Sequence, residues 1–438
     1  MKTSRFNVYR PQGDRTLVFN CLSGRWAFLP AAAAAQLEAG RPDLLAEAER
    51  QRVVDIEAVV ADELDELQRY RYLLLRASHD PQLRVVTLLT YRCNLRCPYC
   101  VAEAPGARER MSDDVLERLV AAVKTNCVED GTRRLRVVLF GGEPLLEVEK
   151  GRKLLGTLAR WAKRERMSFQ GSMATNATLC TPERLGRLKP YLDFVQVAFD
   201  GPRRIHDTVR IGPRRRPTFE KVVAGIRCLM ARRIHVHARM QVADPSHVPE
   251  LLHELERRGL VGHPGVTLHV AIRERFSHWA CQREPVALDP DSEIAREVES
   301  SAAEQLPVAA PAPQLLPCVT AGNSLCVTPS GGLFKCMASV GRPERQVGFV
   351  TPGGRFAFTA AYYRCRVRDP LSFPECRECA LLPLCGGGCP NSAFEHHGDY
   401  GRPWCGDNRR LLTERIERLA RGRRGSPLSL VAAAARNR

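Results

Sequence analysis

Three cysteines stand close together in Cys93-Asn-Leu-Arg-Cys97-Pro-Tyr-Cys100, with three and two residues between them. Thiolates at that spacing can wrap one face of a [4Fe-4S] cube and leave the fourth iron without a protein ligand, and an open iron is a binding site. A zinc ion usually closes its shell with four ligands. Downstream, the next cysteine is Cys127 and the next histidine His206, while His79 lies upstream, before the adjoining apolar run. A second set lies between Cys318 and Cys405, where nine cysteines fall among many Gly and Pro residues. That is the composition of a small domain folded around metal. Between the two sets, Leu139-Phe140-Gly141-Gly142-Glu143-Pro144 closes an apolar run. Glycines there allow close backbone approach, and the carboxylate can accept a charge-assisted hydrogen bond from an ammonium group.

The three-cysteine loop resembles the signature of the radical SAM superfamily, CxxxCxxC after the first strand of a partial barrel, with an aromatic residue, here Tyr99, just before the last cysteine. Gly141-Gly142-Glu143 resembles the motif that holds the methionyl amine of S-adenosylmethionine (SAM). Met173-Ala-Thr175-Asn176-Ala177-Thr178-Leu179 resembles the Thr-Asn-Gly segment after the third strand, with Ala177 in place of the usual Gly. Val197-Ala198-Phe199-Asp200-Gly201-Pro202, followed by His206, Asp207 and Arg210, resembles the Ser-x-Asp-Gly…His-Asp…Arg block, with Ala198 where a ribose-contacting Ser is common. The resemblance implies that Cys93, Cys97 and Cys100 carry a SAM-binding [4Fe-4S] cluster. It implies SAM contacts from Tyr99, Gly141, Gly142, Glu143, Asn176, Asp200 and Arg210. It names no further catalytic side chain.

The C-terminal cysteines follow the pattern Cys318-x12-Gly331-x4-Cys336, then Cys376-x2-Cys379-x5-Cys385-x3-Cys389, then Cys405 after fifteen more residues. This resembles the SPASM extension, which implies two auxiliary [4Fe-4S] clusters. By that resemblance Cys376, Cys379, Cys385 and Cys405 close an outer cluster, and Cys318, Cys336 and Cys389 give three ligands to an inner one. The inner cluster's fourth ligand is open between Cys326, Cys365 and the substrate. A pair of zinc-ribbon sites has similar ligand counts.

These residues need elements to position them. From Arg5 to Pro30 the pattern reads as a β-hairpin around a Pro-Gln-Gly-Asp turn, and residues 43–77 as one or two amphipathic helices. Beyond Pro81, β-rich runs alternate with helical ones: strands near 84–91, 135–140, 168–173, 194–199, 234–242 and 266–272, with helices between. Strands separated by helices argue for right-handed βαβ units in a parallel sheet. About six such units fit, fewer than a full eight-fold barrel requires. The expected fold is α/β, a partial (β/α)6 TIM-type barrel with a small α+β N-terminal unit and a cysteine-rich SPASM domain. The expected domains are 1–80, resembling weakly a leader-peptide-binding element; 81–282, the barrel; 283–317, a linker; 318–408, the auxiliary-cluster domain; and 409–438, a basic helix and tail. Cys127, Cys180 and Cys228 read as core residues, while Cys21 and Cys281 carry no assignment.

The 438 residues are 44% hydrophobic, 26% charged and 6% aromatic, which excludes a wholly disordered chain. No run of about 18 apolar residues offers a membrane span. Met1 to Asp14 lacks the apolar stretch of a secretory signal, so a cytoplasmic protein is expected, and its 17 cysteines read as metal or redox residues rather than disulfides. The net charge of +17, from 66 Lys and Arg against 49 Asp and Glu, suits an anionic partner, but the Arg runs read as solvated loops and nucleic acid is not the expected partner.

The resemblance implies a peptide maturase. Reductive cleavage of SAM would give a 5′-deoxyadenosyl radical that takes hydrogen from a ribosomally made precursor peptide, leaving a cross-link or other oxidative change, with a flavodoxin or ferredoxin as reductant. One alternative is a basic structural-zinc protein that binds nucleic acid or peptide. Another is a sulfatase-maturing enzyme, although those relatives carry an Asp directly after the Cys of Gly-x4-Cys, where this chain has Met337.

Overall fold

The structure is a computed structural model that describes residues 1–98, 100, 108–242, 244–272, 310–316, 323–406 and 408–421. Tyr99, Cys281, Cys318, most of the 283–317 linker and the tail beyond residue 421 lie outside the described residues. The chain divides into two compact units. One comprises Met1–Asp80, Leu306–Ala321 and Val367–Arg438; the other comprises Pro81–Gln305 and Gly322–Arg366.

The first unit begins with β1 (Lys2–Thr3), β2 (Asn7–Gln12), β3 (Arg15–Asn20), β4 (Arg25–Pro30), α1 (Ala31–Glu38), α2 (Glu47–Asp55), β5 (Val59–Val60) and α3 (Glu66–Ser78). Gln12 pairs with Arg15 across the tight turn at Gly13, whose φ of +60° suits a residue without Cβ. The expected hairpin gains a third antiparallel strand, because Trp26 and Phe28 alternate with Ala27 and Leu29 in step with β3. Val18 and Leu29 face a core closed by Ala33, Leu37, Val53 and Ile56. Leu17 and Phe19 face the other way, into a core with Tyr70 and Leu74 of α3 and with Leu371, Phe373, Leu381, Leu382, Ile416 and Leu419 from the end of the chain. A unit of about 80 residues buries too little on its own; its sheet completes its second face with the cysteine-rich segment.

The second unit runs β6 (Gln82–Leu88), α4 (Asp113–Glu129), β7 (Arg134–Phe140), α5 (Val148–Arg164), β8 (Ser168–Thr175), α6 (Pro182–Leu188), β9 (Phe194–Phe199), α7 (Arg203–Val209), α8 (Phe219–Met230), β10 (His235–Val242), α9 (Val248–Glu256) and β11 (Val266–Ile272). Strands β6 to β11 pair in sequence order and in parallel. This is the α/β partial barrel. Helix α4 shows how the sequence builds it: Ser112 caps its first turn through the Val115 N–H at 3.1 Å, and Val115, Leu116, Leu119, Ala122, Val123 and Cys127 recur on one face and are buried.

The range 318–408, read from composition as one domain, is divided between the two units. Strands β12 (Asn323–Val327), β13 (Gly332–Phe334), β14 (Gly348–Val350) and β15 (Phe356–Phe358), with α10 (Ala360–Arg366), belong to the second unit. β12 pairs in parallel with the free side of β6, and β13 to β15 extend the same ten-stranded sheet antiparallel. Strands of three to five residues leave little periodicity for a sequence reading to find. The rest of the range, α11 (Pro374–Arg377), α12 (Leu382–Cys385) and α13 (Pro390–His397), lies in the first unit, followed by α14 (Asn408–Arg421) at the expected basic helix. Among the described residues no helix is long and apolar enough to cross a membrane.

Strand β8 depends on a missing side chain. A Cβ at Gly171 would stand 1.9 Å from the carbonyl oxygen of Tyr191. Gly171→Ala should therefore lower stability by about 1–3 kcal/mol, read as a fall in the urea midpoint of the anaerobically purified chain. An unchanged midpoint would mean that β8 is free to shift away from Tyr191.

Candidate active site and cysteine clusters

Every motif of the barrel emerges at the C-terminal end of a neighbouring strand, which is where barrel enzymes place their chemistry. The Cys93 loop follows β6, Gly141 to Glu143 follow β7, Thr175 and Asn176 close β8, and Asp200 follows β9. The two glycines serve the cysteine loop. A Cβ on Gly141, at φ +136°, would lie 2.3 Å from the Thr90 carbonyl oxygen, and one on Gly142 would lie 2.3 Å from that of Arg92. The backbones meet directly, with Gly142 N–H donating to Thr90 O at 2.8 Å and Glu143 N–H to Arg92 O at 2.9 Å. The chain leading into Cys93 is thus seated on the end of β7.

Glu143 is fully buried. Its Oε1 accepts from Thr175 Oγ1 at 2.7 Å and Leu145 N–H at 2.9 Å, and its Oε2 from Asn176 N–H at 2.9 Å. Burial pushes the carboxyl's pKa up while these hydrogen bonds pull it down. Asn176 in turn directs its Nδ2 toward Cys93 Sγ at 3.7 Å and Asn94 Oδ1 at 3.0 Å, and Asn94 donates to Thr178 Oγ1 at 2.8 Å. Ala177, where the family resemblance expects Gly, does adopt a left-handed φ of +60°.

The three thiols of the loop sense one another. Burial raises Cys93 to about 11 and Cys97 to about 12, and the neighbouring thiols add to the rise. Cys93 keeps exposed surface, yet its sulfur is crowded by protein and takes the Leu95 N–H at 3.3 Å. Arg210 lies close enough to Cys97 to oppose its rise, and holds the buried Asp200 through Nε to Oδ2 at 2.7 Å while itself keeping a little exposure. The strand-like contact of Arg96 N–H with Ile211 O at 2.9 Å fastens the loop beside that pair. His206 is a core residue: burial drops its pKa to about 3, and its ring packs against Phe199 and Phe219. Asp207 accepts from the N–H groups of Thr218 and Phe219 at 2.7 and 2.8 Å, capping α8.

In the first unit, Cys376, Cys379, Cys385 and Cys405 come together. Cys376 is buried and pushed up to about 12, first by burial and then by the charges of Cys385, Cys405 and Cys379. Asn408 Nδ2 and Arg409 Nη2, opening α14, approach Cys385 Sγ and Cys379 Sγ at 3.9 Å each. Cys389 is half-buried in the same unit. Cys336, half-buried, and Cys326 and Cys365, both buried, belong to the other unit. Among the described residues no three His, Cys, Asp or Glu side chains stand as ligands of one metal ion; a cube holds each cysteine on a different iron. Thr175 and Asn94 stand inside motifs the sequence shows but carry no assigned role there, and Arg409 carries no distinguishing signal beyond adjacency to Cys405.

Glu143→Ala would strand the donors of Thr175, Asn176 and Leu145, so it should cost about 2 kcal/mol or more in a urea titration and weaken SAM binding with it. Unchanged values for both would remove Glu143 from the site's framework. His206 makes a pH prediction. A folded-state pKa depressed to about 3 from 6.5 gives stability that is present above pH 6.5 and is lost as pH falls toward 3. His206→Phe should flatten the fall of stability over that window by up to about 1.4 kcal/mol per pH unit, and a profile parallel to the wild type's would refute a neutral buried imidazole.

With this geometry in place, comparison with known proteins gives a consistent answer. Residues 87–255 match the radical SAM superfamily. A serine-type anaerobic sulfatase-maturating enzyme of Klebsiella aerogenes is 24% identical over 324 residues, 68% of this chain and 77% of that protein. The solved structure of native anSMEcpe with bound AdoMet and Kp18Cys peptide superposes with a TM-score of 0.57 at 18% identity, covering 81% of this chain and all of that one. Streptococcus suis SuiB bound to the precursor peptide SuiA gives a TM-score of 0.51 at 13% identity, over 92% and 98% of the two chains. These structures share the partial-barrel fold. Residues 87–255 are thus a radical SAM domain, the C-terminal cysteine pattern fits the SPASM extension, and the cofactors that go with them are SAM and [4Fe-4S] clusters.

Proposed function

We propose that the protein is a radical SAM/SPASM peptide maturase. On this reading Cys93, Cys97 and Cys100 hold the SAM-binding cluster, Gly141 to Glu143, Asn176, Asp200 and Arg210 form the wall around SAM, and the quartet Cys376, Cys379, Cys385 and Cys405 holds an auxiliary cluster. When bound, the cluster and SAM supply reductive cleavage and hydrogen-atom abstraction. The chain's own residues orient and enclose. Glu143 fixes the end of β8, so that Asn176 is held beside Cys93. The Asp200–Arg210 pair places a cation by Cys97 without leaving it unpaired in a buried site.

The observation that carries the peptide reading is the likeness, over 92% of the chain, to a structure solved with a precursor peptide. In that unit β4 pairs with β3 on one side and with no other strand among the described residues. An extended peptide can add a strand to such an edge, so residues 1–80 are proposed to hold a leader segment. The likeness to sulfatase-maturating enzymes supports a second reading, in which a Ser or Cys of a sulfatase is the target; Met337 in place of Asp counts against it. The physiological reductant is proposed to be a flavodoxin or ferredoxin, and the site of action the cytoplasm.

The deciding experiment incubates the anaerobic, reconstituted enzyme with SAM, dithionite and two peptides: a short precursor encoded beside it, and a sulfatase peptide bearing the target Ser or Cys. Loss of two hydrogens from the precursor supports the maturase; formylglycine in the sulfatase peptide alone overturns it. Replacing Cys93, Cys97 and Cys100 together by Ala should abolish release of 5′-deoxyadenosine and lower the iron count from about twelve toward about eight. Retained cleavage of SAM would refute the cluster assignment.

A further inference from the structure

The outer cysteine quartet comes from two stretches of chain, 376–385 and the loop ending at Cys405, and one side chain joins them. Arg368 is 7% exposed. Its Nη2 donates to Gly387 O at 2.7 Å and Arg402 O at 3.0 Å, its Nε to Tyr400 O at 2.9 Å, and its Nη1 to Gly386 O at 3.3 Å. The guanidinium carbon lies 4.8 Å from the centre of the Phe373 ring. One group therefore grips the residues just after Cys385, the residues just before Cys405, and the ring three positions before Cys376. The backbone is shaped for this grip. Gly386, Gly387 and Gly388 all have positive φ, at +59°, +79° and +80°. A Cβ on Gly388 would lie 1.9 Å from the Trp404 carbonyl oxygen, so the two stretches touch backbone to backbone.

Charge adds a second consequence. Four thiolates around a cube make a net anion, and each electron added makes it more negative. A buried cation favours the more negative state, and net charge and hydrogen bonds to sulfur are among the factors that set cluster potentials. Arg368 places its charge against the carbonyls of Gly386 and Gly387, next in sequence after Cys385, and over the ring of Phe373. Arg409 and Asn408 add N–H groups to the sulfurs of Cys379 and Cys385.

We propose that Arg368 is the positioning residue of the outer auxiliary cluster: its fork of N–H groups closes the ligand quartet, and its buried charge raises the cluster's affinity for an electron. This rests on the reading that Cys376, Cys379, Cys385 and Cys405 hold that cluster. A lysine in its place would keep the charge but has no planar fork to reach four carbonyls. A methionine keeps neither.

The test uses the full chain, reconstituted anaerobically, with iron counting and an EPR-monitored redox titration. Cys379→Ala checks the underlying reading: it should lose or alter one cluster's signal, which identifies the outer cluster, and an unchanged count and spectrum would overturn the ligand assignment itself. In Arg368→Met the midpoint of that same cluster should move to lower potential while those of the other two stay in place, a selective change that a general loss of stability would not produce. In Arg368→Lys the outer cluster's iron content should fall while the loaded fraction keeps a potential near the wild type's. Full iron and three unshifted midpoints in Arg368→Met overturn the proposal. Should that variant not be recovered folded, Arg368→Lys decides: full outer-cluster loading refutes the fork, and reduced loading supports it.

Discussion

A buried carboxylate with nowhere else to find partners sets the architecture of the barrel's active end. Glu143 has left water completely, and such a group must be satisfied by the protein around it. Its acceptors tie the turn after β7 to the end of β8, while the peptide that carries it is hydrogen-bonded to the chain entering the cysteine loop. Three strand ends are thereby fixed by one residue. The arrangement also explains why two glycines precede it, since any side chain there would push the cysteine loop off the end of β7. The glycines make room for protein backbone, the close approach that their place in the motif suggests.

Much of the barrel could be read from the chain because its signals are long and periodic. Helices α4 and α5 bury one face over 17 residues each, and strands β6 to β11 are apolar runs bounded by turns. The motif residues could be read because they sit at strand ends in the order the chain supplies them. What escaped was set by partners distant in sequence. Strand β4 has a weak pattern of its own and exists because β3 accepts it in register. Strands β12 to β15 are short, and their glycines and cysteines disguised them as part of a metal-folded domain. Asp207, placed by resemblance in a nucleotide-site motif, caps a helix. Arg368 is one of 66 basic residues, and nothing local distinguishes it from those in solvent.

The two groups of cysteines rest on different kinds of support. Around Cys93 the framework is a sheet, and the donors near the sulfur come from adjacent strand ends. Around Cys376 the ligands sit on short helices and beside a run of left-handed glycines rather than at strand ends, so side chains such as Arg368 and the apolar residues Phe373, Leu381 and Leu384, packed on the β2–β4 sheet, do the holding.

The shared core of the first unit has a consequence for biosynthesis. Leu17 and Phe19 find their partners in Leu371, Leu381 and Ile416, which are synthesised much later. The contacts span more than three hundred positions of sequence, so loop closure is slow and the nascent sheet waits with one apolar face uncovered. Synthesis of the whole barrel intervenes before that face can be covered. Expression in cells should therefore strain chaperone capacity through the uncovered sheet of β2 to β4, and a shortage of iron, felt at Cys376 to Cys405, would leave that distant sheet unfinished.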